Sequence, residues 1–278
     1  MRDYVKSIVN KTLTQNDNLN RVREYIQSYL LYVIYKKKFF QSLVFTGGTA
    51  LRFVHKMRRF SEDVDFSLSA KAKGYDFDEM IKDILHEFRL AGYDIEIKYS
   101  GERAVHSALL KFSGILFEAG LSPLKSQKIA IKMEVDSNPP KGGKEENSVY
   151  NGLFTFYMVH YDLASLLAGK VHAVLCREYT KGRDWYDLFW YLSKFKSLEP
   201  NFTMLNNAMS QTEKDPITFT SKNWKEELKK AAQKTDFKKV KQDVGRFLEN
   251  YEELDFLELK TFENLLSTEG TLPNTANL

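Results

Sequence analysis

Asp63 and Asp65 stand two residues apart, with Val64 between them and Phe66 after them. In an extended strand this alternation turns both carboxylates to one face and both apolar side chains to the other. Two such carboxylates lie roughly 6 to 7 Å apart at ~3.3 Å per residue, and they repel each other unless a cation answers them. Hard oxygen donors suit Mg²⁺, which takes one or two carboxylates and completes its shell with water and substrate phosphates. Upstream, Gly47 and Gly48 follow the apolar run Leu43–Phe45 and precede Thr49-Ala50-Leu51-Arg52. A glycine pair between a strand and a helix lets backbone N–H groups come close to a phosphate, and Thr49 adds a hydroxyl donor. A Gly-Gly pair alone is ordinarily a turn, and an Asp-x-Asp alone is ordinarily a solvated strand edge. In this order they put an anion cradle beside a cation site, as phosphoryl or nucleotidyl transfer requires. Neither a P-loop nor a dinucleotide-binding glycine fingerprint occurs.

Two further clusters carry charge in useful places. In Lys132-Met133-Glu134-Val135-Asp136 the charged residues share one strand face. Glu134, flanked by apolar residues, is the candidate third carboxylate, as base or metal ligand; Asp136, nearer the following loop, is its alternative. A plain solvent-facing strand edge would look similar. Further on, Lys170, Ala173, Val174 and Arg177 fall on one helical strip, so Lys170 and Arg177 point the same way. Two neighbouring cations call for an anion. A triphosphate is one, with Lys170 facing it; Asp184 and Asp187, on the next helix, are another. Asp184 would sit well in the first turn of that helix, with Asp187 one turn later.

The elements that must position these groups follow from periodicity. Helices are expected over Asn18–Phe40, Thr49–Arg59 and Asp76–Leu90, the last with Asp76 as N-cap and Gly92 as stop. Strands are expected over Leu43–Thr46, Asp63–Ser69, Asp94–Tyr99, Ser107–Phe112, Gln127–Asp136 and Leu153–Met158, and Lys141–Asn147 reads as a flexible loop. From His160-Tyr161-Asp162 to about Phe262 the spacing is helical. This divides the chain into a core domain over 1–159, a helical domain over 160–266 and a disordered tail over 267–278, with the active site expected in the cleft between the two lobes. The chain has 278 residues, 43% of them hydrophobic and 14% aromatic, enough for a substantial core. Cys176 is the single cysteine, which excludes an intramolecular disulfide and suits a reducing compartment. With no long apolar run and no signal-peptide pattern after Met1, a soluble cytoplasmic protein is expected. The net charge of +4 permits an RNA partner without demanding one, and the lysines of 222–241 read first as a solvated helix face.

Taken in order, Gly47-Gly48-Thr49-Ala50-Leu51-Arg52, Arg59-Phe60-Ser61-Glu62-Asp63-Val64-Asp65-Phe66, Lys170-Val171-His172-Ala173 and Arg183-Asp184-Trp185-Tyr186-Asp187-Leu188 resemble the motifs of the AbiEii/AbiGii toxin family. These are nucleotidyltransferases of the polymerase-β-like superfamily. The resemblance implies an α+β fold: a nucleotidyltransferase core with a mixed sheet flanked by helices, plus a helical C-terminal lobe. It implies Mg²⁺ as cofactor, an NTP as co-substrate, a separately encoded antitoxin, and an RNA acceptor such as the 3′ end of tRNA. Carried over by motif, Asp63 and Asp65 would hold metal, with Glu134, from the strand reading, as the third metal-facing acid and Asp136 as its alternative. Gly47, Gly48, Thr49, Arg59, Ser61, Lys170 and Arg177 would contact the nucleotide, and Lys170, Asp184 and Asp187 would complete the catalytic set. The spacing from Gly48 to Asp63 is longer than in many polymerase-β-like enzymes. A protein or aminoglycoside acceptor, or a binding module without chemistry, are the competing readings.

Overall fold

The structure, a computed structural model, describes residues 2–267; the tail expected over 267–278 lies, but for Ser267, outside the described residues. In chain order the elements are α1 (Arg2–Ile8), α2 (Gln15–Lys36), a 3₁₀ turn (Phe39–Gln41), β1 (Leu43–Thr46), α3 (Gly47–His55), β2 (Val64–Leu68), α4 (Phe77–Leu90), β3 (Asp94–Ser100), β4 (Val105–Ser113) and α5 (Ile115–Glu118). Then follow β5 (Ile129–Asp136), β6 (Glu145–Asn151), β7 (Thr155–Tyr161), α6 (Leu163–Cys176), α7 (Gly182–Lys194), α8 (Phe202–Thr212), α9 (Trp224–Gln233), α10 (Phe237–Gly245), a second 3₁₀ segment (Tyr251–Phe256) and α11 (Leu259–Leu266). They form two compact units. The first holds the residues up to Pro139 together with Lys144–Asp162; the second holds Pro140–Gly143 and the helices from Leu163 onward.

The first unit is built on a mixed sheet of order β3-β4-β5-β2-β1-β7-β6, in which β2 pairs parallel with β5 and β1 parallel with β7. The alternation read from the sequence sets its two faces. Val64 and Phe66 of β2 and Ile131, Met133 and Val135 of β5 are buried, whereas Asp65, Lys132 and Glu134 retain contact with solvent. The long α2 packs Val22, Ile26, Leu30 and Ile34 into the core. Thr14 caps its N-terminus in a capping box with Asp17. Asp76 caps α4 as expected, accepting a bond from the Glu79 N–H at 2.9 Å.

Three local expectations are corrected. Helix α2 ends at Lys36, because Lys38 takes a left-handed conformation (φ 63°) before the 3₁₀ turn. Helix α3 begins at Gly47 and stops at His55, so the glycines form its first turn and do not precede it. Residues Glu145–Asn151 form the edge strand β6, where a loop was expected over Lys141–Asn147. An edge strand needs no buried face, so Glu145-Glu146-Asn147-Ser148 carries no apolar alternation to read.

The second unit is helical. Trp185 of α7 meets Phe262 of α11 and Phe237 of α10 edge-on at 5.2 and 5.6 Å. Gly182, at the start of α7, allows close packing on α10, since a side chain there would collide with the Val240 carbonyl. Its N–H donates to Asp243 at 2.7 Å. No helix among the described residues is long and apolar enough to cross a membrane.

Candidate active site

Strands β1, β2, β5 and β4 bring Thr46, Asp65, Glu134 and Ser107 into one row across the sheet. Directly paired residues share a face, so Asp65 and Glu134 lie side by side although far apart in sequence. Asp63 falls just before β2, in the connecting segment and not in the strand as expected, because the antiparallel pairing with β1 ends where Thr46 meets Asp65. That segment is fastened from behind. Gln27 of α2, almost fully buried, donates its amide to the Ser61 and Glu62 carbonyls at 3.0 Å each.

Gly47 enters α3 with φ +76°, a conformation L side chains rarely adopt. A side chain there would also collide with the Asp65 carboxylate. The first turn of α3, whose N–H groups have no partner within the helix, therefore stands directly against the central carboxylate of the row. The two neighbours expected to bind nucleotide have other work. Thr49 is buried and donates its hydroxyl to the Asp63 carbonyl, so it fixes the acidic segment and does not present a free donor. Arg59 is 1% exposed; its guanidinium lies against Gly48 and donates to the Phe60 carbonyl at 2.9 Å. Buried and bonded in this way, both side chains support the turn from inside. Ser61 is half-buried, with its carbonyl taken by Gln27.

Lys132, which the sequence places on the acidic face, bonds Glu134 at 2.8 Å. The Glu134 carboxylate first, then Asp63 and Asp65, push the Lys132 ammonium above its ordinary pKa, against a smaller opposing effect of burial. This lysine serves as the tethered counter-ion of the carboxylate face. Asp136, the alternative third acid, is raised by burial and accepts the Asn138 N–H at 2.9 Å. Among the described residues no group of three His, Cys, Asp or Glu side chains forms a metal cage. The donor set of Asp63 and Asp65 fits a hard cation that draws its remaining ligands from water and phosphate, which is how Mg²⁺ is usually held.

In the second unit, Lys170 of α6 is held between Asp184 at 3.0 Å and Asp187 at 2.7 Å, both on α7 and both buried. Of the two anions open to Lys170 in the sequence, the structure supplies the aspartates. Arg177 reaches the outer oxygen of Asp184 at 3.0 Å, although the angle is poor for a hydrogen bond and both atoms are otherwise unbonded. Burial alone would raise the Asp184 carboxyl; Lys170, Arg177 and Lys181 overcome it and bring it down to about 2. Asp184 lies in the first turn of α7 and Asp187 one turn later, as the motif predicts.

A mixed sheet with acids at the end of a central strand, facing a glycine-opened helix, followed by a helical unit with a buried Lys–Asp network, defines a nucleotidyltransferase. The family model for the nucleotidyl transferase AbiEii toxin of type IV toxin–antitoxin systems matches residues 29–268, and the chain belongs to that family. It is accordingly an enzyme that draws its nucleotide from an NTP, and a toxin with a cognate antitoxin. Two solved structures share the fold. JHP933 from Helicobacter pylori is 18% identical over 87% of this chain and 91% of its own, with a TM-score of 0.52. A candidate nucleotidyltransferase from H. pylori is 18% identical over 86% of this chain and 92% of its own, with a TM-score of 0.51. No protein of curated function matches the sequence.

Proposed function

We propose that this toxin transfers an NMP from an NTP to a hydroxyl of RNA, with the 3′ end of tRNA as the acceptor, and that the modification stops translation. The observation that carries the reading is the contact of Gly47 with Asp65, which sets an anion-binding helix turn against an acidic, cation-binding row. The RNA oxygen attacks the α-phosphorus; a new P–O bond forms, the α–β anhydride bond breaks, and pyrophosphate leaves. Gly47 and Gly48 cradle phosphate oxygens through backbone N–H groups. Asp63 and Asp65 would hold Mg²⁺, which would supply charge neutralisation on the triphosphate. Glu134, beside Asp65 in register, takes the proton of the attacking hydroxyl. Lys170 neutralises charge on the leaving group, and Asp184 and Asp187 hold its ammonium in place. The lysine-rich segment 222–241 favours an RNA acceptor over a cationic drug.

The test is incubation of the purified protein with Mg²⁺, each α-³²P-labelled NTP in turn, and total tRNA, resolved on a denaturing gel with Asp65→Ala as control. Label on tRNA with the unmutated protein alone is expected, and it names the base. Label on the protein itself, or none on RNA, overturns the acceptor.

A further inference from the structure

The helical unit contains a cavity of about 480 Å³, a volume on the scale of small-ligand sites. Arg177, Tyr179 and Lys181 line it from the α6–α7 connection, Asp184 from α7, and Lys230 and Lys234 from α9 and its end. We propose that this cavity binds a phosphate-bearing nucleotide unit, with Lys181 as its principal phosphate ligand and Tyr179 as a surface for the base.

The case rests on how charge is shared out. Asp184, the acid that acts on the charge of Lys181, is already divided between Lys170 and Arg177. Lys181 is half-buried, and among the described residues no carboxylate lies within ion-pair distance of its ammonium. Burial lowers its pKa first, Asp184 pulls the other way, and the cations Arg183, Arg177 and Lys170 add to the lowering, as expected for a partly buried charge without an ion-pair partner. The acids of the lining do not make up the difference: Glu227 is bound to Lys230 at 2.8 Å, and Glu178 is exposed. Arg177 Nη1 is buried without an aligned hydrogen bond. A half-buried cation without an ion-pair partner, in one lining with an under-bonded guanidinium, recognises an anion, not a metal. The ring of Tyr179 is 65% exposed and stands 5.4 Å from the Arg177 guanidinium. Aromatic rings beside cations bind nucleotides by stacking and charge together. The choice of a nucleotide over another anion rests on the proposed transfer reaction. Two sources offer this chemistry: the incoming NTP and a nucleotide of the RNA acceptor.

Full-length protein carrying Asp65→Ala, which removes turnover, is titrated in separate arms with NTP alone and with a fluorescent single-stranded RNA alone. The same titrations are made after adding Lys181→Gln, Lys181→Arg or Tyr179→Ala, with circular dichroism confirming that each variant is folded. Lys181→Gln is expected to weaken one arm about tenfold, Lys181→Arg to restore it, and Tyr179→Ala, on an exposed side chain, to weaken the same arm. A loss in the NTP arm assigns the cavity to the incoming nucleotide; a loss in the RNA arm assigns it to the acceptor and lowers the salt dependence by about one counter-ion. Unchanged affinity in both arms, or no binding in either, overturns the cavity assignment. Transfer of label to tRNA is scored separately with Asp65 intact. Transfer that persists while Lys181→Gln leaves both affinities unchanged rejects the cavity alone. Lysine-dependent binding without transfer rejects the transfer reaction alone.

Discussion

Each acidic residue of the candidate site has a distinct neighbour, and the neighbours separate their roles. Asp65 occupies the middle of the cross-strand row, against Gly47, so its carboxylate answers both the helix turn and whatever cation binds there. Asp65→Ala is expected to reduce nucleotidyl transfer at least ~100-fold and to leave the thermal midpoint nearly unchanged, because the side chain retains contact with solvent; gel assays and calorimetry on one preparation check both. A large fall in the midpoint with transfer retained would overturn the assignment. Lys132 is the counter-ion this face carries by itself. Replacing it by methionine leaves like charges uncompensated, so Lys132→Met should melt earlier in EDTA and show a larger Mg²⁺-induced rise in midpoint than the unmutated protein. Equal responses to Mg²⁺ in the two proteins would remove Lys132 from the site.

At the scale of elements, helices α6 and α7 are joined through charge as well as apolar packing. Lys170 balances two buried aspartates, and deleting one partner of a buried network strands the others without compensation. Lys170→Met is therefore expected to cost about 3 kcal/mol or more, measured by urea unfolding, in addition to any effect on NTP use. A variant that keeps full stability while losing NTP use would show the lysine serving ligand alone. The same network sets a pH dependence. The Asp184 carboxyl is depressed to about 2 in the folded chain against an ordinary value of about 3.9. Its contribution is complete above about pH 4 and is lost as the pH falls from there towards 2. That contribution is of the order of 2 kcal/mol. The stability gap between the unmutated protein and Asp184→Asn should narrow across that window and stay constant from pH 5 to 7, as acid titration followed by circular dichroism would reveal.

For the whole molecule, membership of a toxin family and the transfer reaction meet in a single expectation. Induced expression in bacteria should arrest growth, and expression of Asp65→Ala to the same level should not. Arrest by the mutant would separate toxicity from the acidic row. The two units differ in what a linear reading can recover from them. In the first, Asp65, Gly47 and Gly48 are legible because strand alternation and glycine placement are local rules, whereas Asp63, expected in the strand, lies just before it. In the second, the lysine and the aspartates are legible as residue types at helical spacing, but their mutual contact is not. Strand β6 escaped because its first four residues, Glu145-Glu146-Asn147-Ser148, are all polar and leave no periodic mark.

By itself the sequence determined the alternation of Val64, Asp65 and Phe66, the glycine-opened helix, the switch from period two to helical spacing near Asp162, and through its ordered motifs the family. These depend on backbone geometry over a few residues, which side-chain type controls directly. Tertiary structure alone decided that Glu134 stands beside Asp65 and that Gln27 holds the segment before Asp63. It also decided that Thr49 and Arg59 face inward, and that Lys170 is answered by aspartates while Lys181 is not. The reason is that each of these depends on which distant segments share a space: burial and charge balance are sums over neighbours, and neighbours are fixed only once the strands have taken their order in the sheet and the helices have packed.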